Sequence, residues 1–434
     1  MPIYLDHAAT TPLDPEVLSA MEPYLRQSYG NPSSVHAPGQ HARRAMDEAR
    51  EQIAECIGAQ PSEIVFTSGG TESDNIAIRG MSSRNDSTPG HVVTTAIEHE
   101  AILETCKSLE RGGDEVAYVA PGRDGLVAVE AVADALRPNT VLVSVMHANN
   151  EIGTIQPVAA IGRICRARGI AFHTDAVQSA GTIPVDVGEL SCDLLSLSAH
   201  KFHGPKGIGA LYVRDGIAWR PQQLGGGQER TRRSGTENVA GIVGMAAAMR
   251  RSAEKREESA ERLGAMRDFL FARLADDHEW SGAVNDVPTH GRVVTGRPPP
   301  RSPGLRAVDA APRDRLSSDS VRAGQELNRP MINGARQPRL PGNVNLSFPG
   351  LSGETLVMAL DREGVYASSG SACASGSTEP SHVLQAIGAE PNIAAGALRL
   401  TLGRDNTWEE ITTAARIIAQ TVTRLRTSRL AAAI

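Results

Sequence analysis

The chain has 434 residues, a formal net charge of −6 and an isoelectric point near 6.1. Its composition, 40% hydrophobic and 22% charged, is ordinary for a soluble globular protein, and its length permits one large and one smaller domain. The acidic balance weighs against a broad nucleic-acid-binding surface, and no apolar run reaches the ~18 residues that span a bilayer. We therefore expect no direct nucleic-acid partner and no membrane partner.

The cysteines indicate a reducing compartment. There are five of them, an odd number, widely scattered and without a CxxC pair, which predicts neither a disulfide framework nor a zinc ribbon. The first residues lack the charged and apolar regions of a signal peptide. We expect a cytoplasmic protein without a metal site.

Short β-branched runs alternate with helical patterns from about residue 64 onward, which predicts an α/β fold around a mainly parallel sheet. The last two runs are joined by a loop without a helix, which leaves an antiparallel pairing open for them. In chain order the predicted strands are Ile64–Thr67, His91–Thr95, Glu115–Val119, 140–146, 170–174, Leu194–Ser198 and Gly209–Val213.

The second half of the chain changes character. Residues 246–275 are rich in Ala, Arg and Glu and predict one long helix, whereas residues 281–330 contain no aromatic residue and many Arg and Pro, which predicts a flexible insertion. Order is expected to resume at 343–348, followed by a helix near 354–361 and a C-terminal helix. These features predict a large domain at 14–255 and a small domain formed by 1–13 and 256–434.

Lys201 lies in the stretch SAHKFHGPKG, directly after the apolar run 193–197. An amine just after the end of a strand, among a hydroxyl, imidazoles and glycines, is suited to form a Schiff base with an aldehyde cofactor. Pyridoxal phosphate is the candidate, because groups that this cofactor needs follow other predicted strands.

A phosphate-binding turn is predicted at SGGTES, which follows a strand and opens a helix. Glycine permits close approach of backbone amides to an anion, and a helix N-terminus favours negative charge, so Gly70 and Thr71 are candidate phosphate ligands. Ser198 and His200 are candidates to complete the site. A simple turn with a threonine cap is the structural alternative.

Further candidates follow the neighbouring strands. Asp175 is suited to keep a pyridine nitrogen protonated, although an Asp there is equally suited to cap a helix. Gln178 and Asn150 are candidates for bonds to the ring oxygen. His99 is suited to stack on the ring and to transfer protons, while a lone histidine is more often structural.

With these residues in place, the chain resembles the class-V aminotransferases, and among them the cysteine desulfurases. The resemblance covers most of the chain outside residues 281–330. The matching stretches are YLDHAATTP from Tyr4, GNPSSVH from Gly30, TSGGTESDN from Thr67, the His99 segment, HANNEIG from His147, DAVQ from Asp175, SAHKFHGPKG from Ser198, RSGTEN from Arg233 and SSGSACASGS from Ser368.

The resemblance implies the PLP-dependent transferase fold type I, with a large domain around a mainly parallel mixed sheet and a smaller α+β domain. It implies that Lys201, and not Lys206, carries the cofactor. It also implies that Thr236 reaches the cofactor phosphate of a partner subunit, and therefore a homodimer. The residues implied to hold the cofactor are Gly70, Thr71, His99, Asn150, Asp175, Gln178, Ser198, His200, Lys201 and Thr236.

Cys373 distinguishes a desulfurase from a transaminase. Its neighbours from 368 to 377 are Ser, Gly and Ala, which predicts an exposed loop, whereas the other four cysteines have flanks typical of buried thiols. A thiolate at Cys373 is suited to attack a substrate sulfur. Arg399 is the candidate ligand for the substrate α-carboxylate together with Asn150, with a surface ion pair as its alternative.

These residues predict that L-cysteine is converted to L-alanine, with sulfur held on Cys373 as a persulfide. Lys201 and His99 are the expected proton-transfer groups. The acceptor is expected to be an iron–sulfur scaffold or a sulfur-carrier protein, in cluster assembly or tRNA thiolation. A selenocysteine lyase or another class-V lyase, and an assembly scaffold with little turnover, are the alternatives.

Overall fold

The computed structural model describes residues 2–82, 89–276, 329–369 and 381–432. Its strands, numbered in chain order, are β1 Ile3–Tyr4, β2 Ile64–Thr67, β3 His91–Thr95, β4 Glu115–Val119, β5 Thr140–Ser144, β6 Ala171–Asp175, β7 Leu194–Ser198, β8 Gly209–Val213, β9 Met331–Ile332, β10 Asn343–Ser347, β11 Val365–Tyr366 and β12 Ala397–Thr401. Its α-helices are Pro15–Arg26, Ala37–Cys56, Gly70–Ser82, Glu100–Arg111, Val129–Ala135, Val158–Ala167, Val187–Leu190, Val239–Phe271, Gly353–Arg362, His382–Ala386, Pro391–Ala394 and Trp408–Ala432.

A seven-stranded sheet with the order β2-β8-β7-β6-β5-β3-β4 forms the centre of the molecule. All neighbouring pairs are parallel except those of β8, which runs antiparallel to both β2 and β7. The α/β prediction is confirmed, and the pairing left open for the last two predicted strands is antiparallel. The carboxyl ends of β2, β3, β5, β6 and β7 therefore share one edge.

Aliphatic side chains from helices cover both faces of this sheet. Helices Gly70–Ser82 and Glu100–Arg111 pack on one face, where Ile76, Met81 and Ile102 are buried. Helices that precede and follow the strands of the sheet in sequence pack on the opposite face, where Ile53 and Met245 are buried. A core with so few aromatic residues is what the 3% aromatic content requires.

A second apolar core lies around the sheet β12-β10-β9 and includes Leu5, Leu346 and Ile418. Helix Val239–Phe271 contributes to both cores, from Met245 in the first to Leu270 in the second. Two separate cores accord with the predicted large and small domains, whose limits at 14 and 256 stay a prediction.

Several sequence-based boundaries were wrong. Strand β5 ends at Ser144 rather than at 146, and β6 spans Ala171–Asp175 rather than 170–174. The long helix begins at Val239 rather than 246, because Asn238 caps it by accepting a hydrogen bond from Gly241 N at 3.0 Å, and its first two turns are apolar and mostly buried rather than charged. Regular structure returns at β9, Met331–Ile332, which pairs with β10. Of the predicted insertion, residues 281–328 lie outside the described chain. Within the described ranges, no helix has the length and apolar character of a membrane span.

Candidate active site

The candidate cofactor residues collect at the carboxyl edge of the central sheet. Strands β3 and β5 are neighbours although β4 lies between them in sequence, so the strand order reverses there. Ligands of open α/β sheets bind at such a reversal. The candidates that follow the strands are Gly70 and Thr71 after β2, His99 after β3, Asn150 after β5, Asp175 and Gln178 at the end of β6, and Ser198, His200 and Lys201 at the end of β7.

The turn after β2 has the geometry of an anion site. Helix Gly70–Ser82 begins there, and Gly69 has φ of 156°, a conformation that glycine adopts without strain. A Cβ on Gly69 would lie 3.8 Å from Ser198 Oγ, and one on Gly70 would lie 2.7 Å from Val177 Cγ2. Glycine suits position 69 through its backbone conformation and position 70 through the close contact with Val177. The helix N-terminus lies beside Ser198, and Thr71 is exposed.

An ion pair ties the loop that carries Thr236 to this turn. Arg233 Nε donates to Glu72 Oε1 at 2.7 Å, and Glu72 Oε2 accepts from Ser68 N at 2.7 Å. Thr236 is exposed and lines, together with Ser68, a cavity of about 140 Å³. Its predicted bond to the phosphate of a partner subunit involves a second chain and stays a prediction.

The N-terminal segment holds three candidate residues at once. Lys201 Nζ donates to the carbonyl oxygens of Ala8, at 2.5 Å, and Ala9, at 2.9 Å. Gln178 Nε2 donates to the same Ala8 oxygen at 3.0 Å, and His200 Nδ1 hydrogen-bonds Thr10 Oγ1 at 3.1 Å. Backbone carbonyls thus fix the lysine amine at the sheet edge. Lys206, in contrast, is exposed.

Asp175 lies close enough to Lys201 and His99 for their charges to interact. Burial raises the pKa of Asp175, while a hydrogen bond from Val177 N and the charges of His99 and Lys201 oppose that rise. The bond from Val177 N to Asp175 Oδ1 measures 2.8 Å and closes a turn. The helix-capping alternative for Asp175 was wrong, because β6 is followed by this turn and the next described helix begins at Val187. A buried carboxyl of this kind is stabilised as an anion by a nearby cation such as a protonated ring nitrogen.

His99 has a structural role and a chemical one. Its Nδ1 accepts a hydrogen bond from Ala101 N at 3.0 Å and so caps helix Glu100–Arg111. Burial lowers the pKa of His99, with Lys201 and His382 acting in the same direction and Asp175 against it. The neutral ring therefore carries its proton on Nε2, which makes that atom a hydrogen donor.

Two buried carboxyl groups next to the site were missed by the sequence analysis. Glu98 is fully buried, and its Oε1 accepts hydrogen bonds from Thr95 Oγ1 at 2.7 Å and Met146 N at 3.0 Å. Asp74 is 2% exposed, and burial and the charge of Asp175 raise its pKa well above the usual range. Their sequence signal is weak, because only the fold turns these side chains inward.

Burial raises the pKa of Glu98 from 4.5 to about 8. The folded protein therefore holds a proton that the unfolded chain releases, so this contribution to stability is complete below pH 4.5 and is lost as the pH rises through about 8. The loss is about 1.4 kcal/mol per pH unit within that range.

We expect Glu98→Gln to leave the melting temperature nearly unchanged at pH 4.5 and to raise it relative to wild type at pH 8.5, because glutamine keeps the acceptor oxygen and has no proton to lose. Glu104→Gln, on the exposed side of the next helix, is the control and should change neither value. Equal shifts at both pH values would contradict a titrating Glu98.

Arg399 on β12 is buried, so the surface ion pair considered from sequence is excluded. Its side chain is 3% exposed, and its Nη2 donates to Asp6 Oδ1 at 2.8 Å. Its Nη1 donates to the backbone oxygen of Asn150 at 3.2 Å. The structure thus brings the two predicted substrate ligands together and adds Asp6, which no sequence argument had assigned a role.

Cys373 lies outside the described residues, as does its predicted exposed loop. The described residues on either side contact the site: Ser368 exchanges backbone hydrogen bonds with Arg399, at 3.1 and 2.7 Å, and His382 Nε2 donates to the backbone oxygen of Glu98 at 2.9 Å. On the C-terminal side, Ser381 Oγ also donates to Glu151 Oε2, at 2.5 Å.

The other four cysteines are poor nucleophiles. Burial raises the pKa of Cys106 and of Cys165 to about 12 and also raises the pKa values of Cys56 and Cys192. A raised pKa keeps the thiol protonated at neutral pH and removes the reactive thiolate. Cys106, Cys165 and Cys192 are buried as predicted, whereas Cys56 is only partly buried.

The residues present fit pyridoxal phosphate. A glycine turn at a helix N-terminus beside Ser198 suits the phosphate, and a buried carboxyl at Asp175 suits the ring nitrogen. Lys201 offers the amine for the aldehyde, with His99 as a neighbouring imidazole. These four features occupy one edge of one sheet.

Comparison with known proteins agrees with this chemistry. The sequence profile of the class-V aminotransferases matches residues 3–285 and 314–413. The chain is 43% identical over 425 residues to a cysteine desulfurase IscS of Dictyoglomus turgidum, covering 98% of this chain and 95% of that protein. It is 42% identical over 424 residues to a cysteine desulfurase IscS of Methanosarcina thermophila, covering 98% and 93%.

Solved structures give the same result. A NifS-like protein superposes with a TM-score of 0.80 at 36% identity, over 98% of this chain and 100% of the other. SspA in complex with cysteine superposes with a TM-score of 0.72 at 34% identity, over 93% of this chain and 100% of the other. The molecule therefore has fold type I of the PLP-dependent transferases, and the chain belongs to the class-V aminotransferase family as a pyridoxal-phosphate-dependent cysteine desulfurase.

Proposed function

We propose that this desulfurase converts L-cysteine to L-alanine by transferring the sulfur to Cys373 as a persulfide. The observation that supports it is the meeting of an amine, a buried carboxyl and an imidazole, at Lys201, Asp175 and His99, with a buried guanidinium at Arg399. The complex of the similar protein SspA with cysteine accords with the same substrate.

Nine residues of this chain would hold the cofactor from one subunit, Lys201 among them through its amine. When bound, pyridoxal phosphate supplies an aldehyde that condenses with amines and a ring that accepts the electron pair of the α-carbon. Gly70, Thr71, Ser198 and His200 would bind the phosphate. Asp175 would face the ring nitrogen, and the remaining positions around the ring belong to His99, Asn150 and Gln178.

Substrate binding and proton transfer fall to four groups, of which only Arg399 does not also hold the cofactor. Arg399, with Asn150, binds the α-carboxylate of cysteine, since a guanidinium pairs with a carboxylate through two hydrogen bonds. The Lys201 amine takes the proton from the α-carbon. His99 donates a proton from Nε2, because its Nδ1 accepts the capping hydrogen bond from Ala101 N.

Sulfur transfer to Cys373 balances without an external oxidant. The thiolate of Cys373 attacks the substrate sulfur, so the carbon–sulfur bond breaks and a sulfur–sulfur bond forms. The carbon that loses sulfur takes up a proton and becomes the methyl group of alanine. The products are alanine and one persulfide per turnover, and the persulfide sulfur then passes to an acceptor protein.

We also propose a cytoplasmic homodimer that serves an iron–sulfur scaffold or a sulfur carrier. Thr236 is exposed, and so are the large apolar side chains of Tyr29, Val35 and Leu224, which are 81–92% exposed in the single chain. Exposed apolar side chains of this kind suit a subunit interface. Light scattering should give twice the chain mass, and cell fractionation checks the location.

The decisive experiment is addition of L-cysteine or selenocysteine to the purified holoenzyme. We expect one alanine for each cysteine consumed, and a gain of one sulfur mass on the peptide that contains Cys373. Release of selenium from selenocysteine with no reaction of cysteine would favour a selenocysteine lyase. No turnover of either substrate by cofactor-loaded protein would favour the assembly scaffold.

A further inference from the structure

Asp6 forms the closest ionic contact of the proposed substrate ligand Arg399. Its Oδ1 accepts from Arg399 Nη2 at 2.8 Å, and the two side chains are 21% and 3% exposed. Asp6 is thus partly exposed to solvent, whereas the Arg399 side chain that it contacts is buried. No other carboxylate among the described residues pairs with Arg399.

The contact leaves part of the guanidinium available. A guanidinium has five N–H donors, of which Arg399 gives one to Asp6 and one to the backbone oxygen of Asn150. Its Nε is buried and has no hydrogen-bond partner within the described ranges. Asp6 accepts through one oxygen at Nη2, so the other N–H donors of the guanidinium are not used by Asp6.

The backbone of Asp6 is held independently of its side chain. Asp6 forms a β-bridge with Thr401 of β12, and its carbonyl oxygen accepts from Tyr4 Oη at 3.0 Å. A change confined to the carboxylate is therefore expected to leave the chain path intact. The same segment supplies the carbonyl oxygens of Ala8 and Ala9 that hold the amine of Lys201.

A cysteine whose carboxylate binds Arg399 and whose amine reacts with the aldehyde held at Lys201 must therefore lie beside the segment from Asp6 to Ala9. We propose that Asp6 is a positioning residue for Arg399 and that its charge lowers the affinity of the site for carboxylates. The proposal rests on the proposed role of Arg399 as the α-carboxylate ligand.

The physical basis is that Asp6 acts in two opposite directions. Its hydrogen bond orients the guanidinium, which favours a bound carboxylate. Its charge repels that carboxylate across a few ångströms, which at a partly exposed site is enough to weaken binding about fivefold. Asparagine keeps the acceptor oxygen and removes the charge, whereas alanine removes both, so the two substitutions separate the effects.

The test uses the holoenzyme and 3-mercaptopropionate, which has the carboxylate and the thiol of cysteine but no amine. We expect Asp6→Asn to lower its inhibition constant about fivefold and to lower KM for cysteine with a smaller change in kcat. Asp6→Ala should raise the inhibition constant of 3-mercaptopropionate and KM for cysteine, because the guanidinium loses its anchor. Inhibition by cysteamine, which has no carboxylate, should be the same in all three proteins.

If both Asp6 substitutions raise the inhibition constant of 3-mercaptopropionate equally, the charge of Asp6 has no role and Asp6 is only a structural anchor. If neither substitution changes that constant, the whole proposal is wrong.

The variant Arg399→Gln distinguishes an error about Asp6 from an error in the proposed function. If Arg399→Gln leaves the inhibition constant of 3-mercaptopropionate unchanged, Arg399 is not the carboxylate ligand. If it weakens binding while the Asp6 variants behave as wild type, only the role of Asp6 is wrong. The absorbance of bound cofactor checks that every variant is folded.

Discussion

Replacement of Lys201 by alanine should abolish the visible absorbance of covalently bound pyridoxal phosphate and reduce turnover of cysteine on the order of 10³-fold or more. The amine is the group for both the covalent link and the α-proton, and the carbonyl oxygens of Ala8 and Ala9 hold it at the sheet edge. An absorbance spectrum and an alanine assay of the purified variant measure both effects.

Lys206→Ala is the matched control, because Lys206 is in the same loop but is exposed. It should keep the absorbance and the turnover of wild type. A Lys201→Ala protein that remained yellow and active would refute the assignment of the lysine. A colourless Lys206→Ala protein would transfer the assignment to the other lysine of the loop.

Replacement of Cys373 by serine should have the second largest effect, with cofactor binding retained and persulfide formation lost. Serine is close in size but its hydroxyl cannot carry the sulfur, so turnover should fall by roughly 10²-fold or more. The expected result is an unchanged absorbance of bound cofactor and no gain of sulfur mass in the peptide after addition of cysteine.

Cys56→Ser is the control, since Cys56 is the most accessible of the four described thiols and burial still raises its pKa. This variant should form persulfide as wild type does. Sulfur found on Cys56 or on another buried thiol of the Cys373→Ser protein would contradict the choice of Cys373 as acceptor. Loss of bound cofactor in Cys373→Ser would point to a structural role instead.

The central sheet was predictable because its strands are short apolar runs between turn residues. Five of the seven strands have the predicted limits, among them Ile64–Thr67 and Gly209–Val213. A strand buried on both faces needs an uninterrupted β-branched or aliphatic run, and that pattern is visible without the fold. Boundaries set by a capping residue were harder to predict. Asn238, for example, starts the long helix seven residues before the predicted position 246.

The candidate site was predictable as a set of strand ends but not as a set of contacts. Sequence position places Asp175 and Lys201 after neighbouring strands, and the resemblance supplies their chemical roles. It does not indicate that residues 8–10 hold Lys201, Gln178 and His200, since the N-terminal segment is about 190 residues away from the lysine in sequence.

By itself the sequence determined the α/β class, because local apolar patterns carry that information, and its resemblance to a known family determined the cofactor chemistry and predicted Lys201 as the attachment site. Only the tertiary structure decided that Glu98 and Asp74 are buried beside the site and that Asp6 pairs with Arg399. The physical reason is that burial and ion pairing depend on contacts between distant parts of the chain, and hydropathy along the sequence does not record them.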